Sequence, residues 1–440
     1  MNLRRWLTPG IGVKRWLLVV FVGLLLVALA FAHLLRQATR DLAPGGVAGT
    51  VLDALTLQFL PYPTRGLIVA VIGLLIVAIG AIRLGRALTD PFRTDDGQQP
   101  LVELIYQKRF LSRGPRIVAI GGGTGLSALL RGLKDHTSNL TAVVTVADDG
   151  GSSGVLRSSL GIPPVGDIRN CIAALADAEP LMNDLLQYRF PDETEGEAHG
   201  LAGHAVGNLL LAAMTAVEGG DFEEGVRRIN RILAVRGQVV PVTGQPLTLH
   251  AELEDGRVVD GQSSIMSTTG IRRVWLTPRD VHASDDALAA IGEAELIVVG
   301  PGSLYTSLLP SLLLPDIRDA LLAAPAPIIY VCNVATQAGE TAGFDLAAHV
   351  EALVAHTAPR IFDVVLANNQ FAAKTPSGWR AEHVSLRWPP AVQPVPRLVL
   401  DDVVDPANAH HHDPARLADA VLRTFEREGG ARRRTVSRSA

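Results

Sequence analysis

Cysteine is almost missing from this chain. Two residues in 440, Cys171 and Cys332, cannot build a disulfide framework. Aromatic residues are few, at 5%, which excludes a broad stacking surface for single-stranded nucleic acid. Neither sign of charge dominates: 40 Lys and Arg against 44 Asp and Glu leave a formal net charge of −4. That balance excludes the bulk basic field that draws a protein to nucleic acid. Charged residues make up only 19% of the chain and hydrophobic residues 48%, the reverse of what disorder needs. Glycine and proline, 42 and 27, follow no collagen-like period.

Apolar residues are concentrated first at the N-terminus. Leu17 to Leu35 and Gly66 to Ile82 carry no Asp, Glu, Lys or Arg. Runs of that length read as membrane spans, too long for a signal-peptide core. Arg4, Arg5, Lys14 and Arg15 precede the first run, and Arg83, Arg86 and Arg93 follow the second. This bias predicts a multi-pass membrane protein of two spans, with the N-terminus and main domain cytoplasmic. The expected organisation is therefore a hairpin over 1–97, a linker over 98–114, a nucleotide-binding domain over 115–426 and a disordered basic tail over 427–440.

Beyond Arg116, short Val/Ile-rich runs alternate with helical patterns. Strands are predicted at Arg116–Ile120, Thr141–Val146, Ala294–Val299, Pro327–Val331 and Asp363–Leu366. Helices are predicted at Asp167–Ala176, His204–Val217, Phe222–Leu233, Leu346–Ala355 and Pro414–Phe425. Continuous apolar strands imply burial on both faces, hence an α/β fold with a mostly parallel sheet. Residues from about 237 to 275 differ: apolar and polar residues alternate, and Asp255-Gly256 is a hairpin turn signal, so a small β insertion is expected.

Each predicted strand end carries Gly, Ser, Thr, Asn or Asp. In open α/β sheets, ligands bind outside the carboxyl ends of the strands. Gly121, Gly122, Gly123, Thr124 and Gly125 remove most Cβ atoms where strand turns to helix, so backbone N–H groups can meet a phosphate. Leu126 stands where a G-x-G-x-x-G fingerprint needs glycine, and no Gly-Lys-Ser/Thr triplet follows. Asp148 sits where a ribose-binding acid stands in dinucleotide folds, and could equally hold Mg²⁺. Asp149 is beside it, and Gly151 and Ser152 belong to a second candidate anion cradle. Asp167 and Asn170 open a helical run, with an N-cap as the competing role for Asp167. Asn208 shares a helix face with His204. Gly300, Gly302, Ser303, Thr306 and Asn333 complete the candidate ligand set. No nucleophile elbow and no zinc spacing is present, so no catalytic residue is assigned. His410, His411 and His412 are consecutive, which suits a solvated loop.

Several long motifs resemble one family: RIVAIGGGTGLSALLRGLK, TAVVTVADDGGSSGVLR, GDIRNCIAALAD, GHAVGNLLLAAM, GPGSLYTSLLPSLL and YVCNVATQAGET. They are similar to the YvcK-like gluconeogenesis factors, within the superfamily of the 2-phospho-L-lactate transferases (CofD-like proteins). The resemblance covers about residues 114 to 426. It implies a Rossmann-like fold and a nucleotide-type ligand, a UDP-sugar in the gluconeogenesis-factor branch, with ties to cell-wall precursor supply and cell shape. Two positions depart from the family pattern, Trp379-Arg380 and His411-His412-Asp413-Pro414.

The expected function is a membrane-tethered, non-catalytic nucleotide-sugar regulator. The alternative is a Mg-dependent phosphoryl-group transferase. No cofactor is required in the first reading; Mg²⁺, on Asp148, enters only with the second. The expected partners are a nucleotide or nucleotide-sugar, the membrane, a cytoplasmic metabolic enzyme and further copies of the chain, with no nucleic acid.

Overall fold

The computed structural model describes residues 110–438 except 177–178, 192–199 and 372–380, together with positions 21, 24, 25 and 28. The chain divides into two units, Met1–Phe110 and Leu111–Ala440.

The second unit opens with β1 (Ile117–Gly121), α1 (Gly123–Leu133), β2 (Leu140–Val144), α2 (Gly151–Leu160) and α3 (Gly166–Leu175). Next come α4 (Glu179–Gln187), α5 (Val206–Val217), α6 (Phe222–Ile232) and β3 (Gln238–Pro241). The insertion holds β4 (Thr248–Leu253), β5 (Val258–Asp260), α7 (Gln262–Met266) and β6 (Ile271–Thr277). The chain returns through α8 (Asp285–Glu293), β7 (Leu296–Val299), a π-helical turn at Leu304–Leu308, α9 (Leu309–Leu312), α10 (Pro315–Ala323), β8 (Ile328–Val331), α11 (Leu346–His356) and β9 (Val364–Asn368). It closes with β10 (Arg397–Asp401), the small pair β11 (Val404–Asp405) and β12 (Asn408–His412), and α12 (Pro414–Arg438).

Seven strands form one parallel sheet in the order β10-β9-β8-β7-β1-β2-β3. β1 is central: Ala119 faces Ala142 on one side and Val298 on the other. Every residue of β1, β7, β8 and β9 is buried. Helices therefore cover both faces, as the unbroken Val/Ile runs require. The architecture is α/β and Rossmann-like.

Two strands of this sheet escape sequence reading, and both are edges. β3 (QVVP) ends on Pro241, which an edge strand tolerates because one side needs no N–H donor. Its alternating surroundings place it, from sequence, in the insertion. β10 follows a proline-rich stretch and is half exposed, so its apolar signal is weak. The insertion itself is the three-stranded antiparallel sheet β5-β4-β6, and β4 alternates between buried and partly exposed positions. Asp255 Oδ1 accepts from Arg257 N at 3.0 Å and Gly256 takes φ +83°, making the expected turn.

Three further expectations change. α12 continues past Phe425 to Arg438, through the stretch read as a disordered tail. His412 is not in a solvated loop: it is buried in β12 with Nε2 3.3 Å from the Cys332 carbonyl. The third is membrane localisation. The runs 17–35 and 66–82 lie outside the described residues, apart from the four isolated positions. Among the described residues, no helix is long and apolar enough to cross a membrane. α12, at 25 residues, is long enough but rich in arginine; the others, of 12 residues or fewer, span at most about 18 Å. No described helix supports the two expected spans.

Candidate functional site

The chain leaves β1 toward β2 and leaves β7 toward β8, so the connections diverge on opposite sides between these two strands. That switch point opens a crevice at the carboxyl ends. Gly121 closes β1, and α1 starts at once without a side-chain cap. A Cβ on Gly122 would lie 2.5 Å from Asp167 Oδ2 and 2.6 Å from Thr145 Cγ2. One on Gly125 would lie 2.6 Å from the Pro301 carbonyl oxygen. These glycines let α1 touch α3 and the loop after β7. Gly123 is different: its φ is +65° and only Ser307 Oγ, at 3.9 Å, stands near its missing Cβ. The space where its Cβ would stand is open, beside a helix N-terminus, where an anion is favoured. Thr124 is exposed beside it.

Two acids approach this loop. Asp148 follows β2, and its Oδ1 accepts from Gly150 N at 2.9 Å. Burial raises its pKa and the charge of Asp149 adds to the rise, against the Gly150 amide, the Ser153 hydroxyl and Arg169. Asp167 lies within the first turn of α3, and no side chain caps that helix. Part of the residue is accessible, but its Oδ2 is buried with no hydrogen-bond partner. Burial first, and Asp148 second, push its pKa up to about 7; the Gly123 amide and Arg169 oppose them. Thr145 Oγ1 is buried without a partner as well. Asp149 points elsewhere: its Oδ1 accepts from Ser263 N at 2.8 Å and Ser263 Oγ at 2.7 Å, tying the loop after β2 to α7 of the insertion.

A buried polar relay extends the site along α2, α3 and α5. Ser152 Oγ is 3.0 Å from His204 Nδ1, and Asn208 Nδ2 donates to the same oxygen at 2.9 Å. Arg169 donates to Asn208 Oδ1 at 3.0 Å and to Asn170 Oδ1 at 3.1 Å. Gln187 also donates to Asn170 Oδ1, at 2.7 Å. Gly151 is exposed at the first position of α2. Sequence reading passed over Gln187 and, at the centre of the relay, Arg169. Burial lowers its pKa, as does nearby Arg189, while Asp167 and Asp148 raise it. The available signal was a lone cation in the otherwise largely apolar run of α3.

The loops after β7 and β8 grip each other. Gly302 N donates to Asn333 Oδ1 at 3.1 Å, and Asn333 Nδ2 donates back to Gly302 O at 2.9 Å. Gln337 donates to Ser303 Oγ at 2.7 Å. Buried Glu340 accepts from Tyr305 N at 3.0 Å and from the Thr306 hydroxyl. Asn333 and Thr306 therefore hold the loop that starts at Gly300, and Gln337 and Glu340 share a task that their spacing did not reveal. Gly121 to Gly125, Asp148, Asp167, Gly300 and Gly302 gather around the crevice; Ser152, Asn170 and Asn208 form its flank; Asp149 faces the insertion. A cleft of about 400 Å³ also opens at the opposite sheet edge, against Arg116, Gln238 and Glu293, but strands begin there.

The family model described as 2-phospho-L-lactate transferase CofD matches residues 117–385. A Nostoc sp. protein is 43% identical over 439 residues, spanning 97% of this chain and 93% of its own. The gluconeogenesis factor of Bacillus subtilis is 50% identical over 261 residues, 59% of this chain and 80% of its own. A crystal structure of a UPF0052-family protein from Bacillus halodurans superposes with a TM-score of 0.63 at 41% identity, over 70% of this chain and 99% of that one. A second structure of that protein is covered completely, with a TM-score of 0.65. A stretch about the size of the α/β unit thus accounts for a whole solved relative, which overturns the expected two-span membrane protein. By the family match over 117–385 and the identity of these relatives, the chain belongs to the CofD-like family, among the gluconeogenesis factors.

Proposed function

We propose that the protein is a non-catalytic regulator that binds a nucleotide-sugar, a UDP-sugar, and links gluconeogenic growth to cell-wall precursor supply and cell shape. The observation that carries the reading is the open space beside Gly123 at the uncapped start of α1, in the crevice between β1 and β7. The Gly123 amide turns to Asp167, and the amides that follow it in the first turn of α1 can donate to a pyrophosphate. Asp148 and Asp167 stand beside it to accept from ribose or sugar hydroxyls, and the His204–Asn208 flank supplies further polar groups. The names of the relatives support the gluconeogenic link. Calorimetry with UDP-N-acetylglucosamine, UDP-glucose, GDP and NAD tests the reading: binding of the UDP-sugars above the other two supports it, and binding of none of the four sinks it.

A second reading is favoured by one observation, the unpartnered Asp167 oxygen near Asp148. Hard carboxylate oxygens suit Mg²⁺ held with phosphate and water. Among the described residues, no group of three or more His, Cys, Asp or Glu could hold a metal, so these two acids with the ligand's phosphates would be the holders. Bound there, Mg²⁺ would neutralise charge on a transferring phosphoryl group, with Gly123 positioning the phosphate and Arg169 lending positive charge. This is the transferase alternative. Release of a nucleoside monophosphate from a nucleotide donor, with Mg²⁺ and an acceptor alcohol, would establish it.

A further inference from the structure

The hydrogen-bond relay beside the crevice has a direction, and its direction can be read link by link. Arg169 is a donor only; its guanidinium has no acceptor. Its bond to Asn208 at 3.0 Å therefore ends on the amide oxygen. That decides which way the Asn208 amide lies. Asn208 Nδ2 must then point the other way, and it donates to Ser152 Oγ at 2.9 Å. The Ala205 amide approaches the same oxygen at 3.4 Å. Ser152 Oγ has two lone pairs and one proton. With both lone pairs addressed, the proton is left for the remaining neighbour, His204 Nδ1, at 3.0 Å. His204 Nδ1 is thus an acceptor and carries no proton. A neutral imidazole has its proton on the other nitrogen.

We propose that Arg169, Asn208 and Ser152 fix His204 as the neutral Nε2–H tautomer, and that this N–H donates to an acceptor oxygen of the bound ligand. His204 is largely buried, and its Nε2 meets no hydrogen-bond partner among the described residues. Residues Arg169, Asn208 and Ser152 are all buried too, so water does not scramble the relay. Low dielectric strengthens such a chain and raises the cost of reversing any one link. The donor sets the ligand class. A neutral N–H on a rigid ring recognises a carbonyl or phosphate oxygen, and it rejects a group that can only donate. His204 is a ligand-contacting residue here; Arg169, Asn208 and Ser152 are positioning residues that act through it. The ligand half rests on the nucleotide-sugar reading above. The tautomer half does not.

The test separates the two. Protein carrying ¹⁵N-histidine is measured by long-range ¹H–¹⁵N correlation without ligand, with His204 assigned by comparison with His204→Gln. The expected pattern is a protonated Nε2 and an unprotonated Nδ1. Asn208→Asp keeps the bond from Arg169 but removes the donor toward Ser152. The Ser152 hydroxyl then turns to the new carboxylate, and His204 moves to the Nδ1–H tautomer. Nδ1–H in the wild type, or no change in Asn208→Asp, overturns the relay. For the ligand half, the probe is UDP-N-acetylglucosamine in calorimetry. His204→Phe, similar in shape and without a donor, is expected to bind at least tenfold more weakly, and His204→Gln to recover part of the loss. Equal affinity of His204→Phe and wild type overturns the contact. If the wild type binds neither UDP-N-acetylglucosamine nor UDP-glucose but shows the expected tautomer, the nucleotide-sugar reading fails and the relay stands.

Discussion

At neutral pH the Asp167 carboxyl sits near its own titration midpoint, because burial and Asp148 push its pKa up to about 7. Unfolded, it titrates near ~3.9. Between those values the folded state holds more protons than the unfolded one, so this group's contribution to stability falls as pH rises from about 4 to about 7. Asp148 pushes the same way. Asp167→Asn removes the buried charge and should stabilise the free protein at pH 8, by on the order of 1–4 kcal/mol, with little effect at pH 4. Urea unfolding of both proteins at the two pH values measures it. An equal or lower stability for the variant at pH 8 contradicts the burial account. The neighbouring Asp148→Asn separates regulator from transferase. In the regulator it weakens nucleotide-sugar binding by ~1–3 kcal/mol, and EDTA changes wild-type affinity less than tenfold. A large Mg²⁺ effect, erased by Asp148→Asn, would move the ranking to the transferase.

Among the elements, α7 is short and depends on a partner outside the insertion. Its Ser263 amide and hydroxyl both donate to Asp149 Oδ1, and Gln262 reaches the Thr306 carbonyl at 3.4 Å. Asp149→Ala leaves the Ser263 amide without its acceptor. We expect a loss of about 1–3 kcal/mol and faster amide exchange over 261–268, while β1 and β7 keep their protection. Unchanged exchange at 261–268 would show that the insertion holds α7 unaided. The same residue marks a limit of sequence reading. Asp148 and Asp149 are adjacent and chemically alike, yet one turns to the crevice and the other to the insertion. Nothing local in ADDGG distinguishes them; the choice is made by residues over 110 positions away. Asn333 and Thr306 obey the same rule, since loop-to-loop bonds have no local signature. The central strands, by contrast, were legible because burial on both faces forces an apolar run. The edge strands β3 and β10 were not, because one open side relaxes that demand.

On the scale of the whole molecule, the second unit contains the complete seven-stranded sheet and every residue assigned to the crevice. A chain starting at Leu111 should unfold in one cooperative transition and bind UDP-N-acetylglucosamine within twofold of the full chain. A shallow, non-cooperative transition would show that the first unit is needed for the fold. The parallel sheet and the glycine loop were readable because periodicity and backbone demands are local. The N-terminal apolar runs were equally legible as runs, but hydropathy alone did not make this a two-span membrane protein.

The central claim is that a nucleotide-sugar lies against the Gly123 backbone, and titration calorimetry of UDP-N-acetylglucosamine into wild type and Gly123→Ala tests it most directly. The left-handed φ makes alanine cost about 1–2 kcal/mol, but space is open where its Cβ would stand, so the variant should fold. Circular dichroism and the unfolding midpoint verify that. The account predicts saturable binding by the wild type and at least a tenfold loss in Gly123→Ala, where the methyl group intrudes on the phosphate. Undiminished affinity in a folded Gly123→Ala would contradict it.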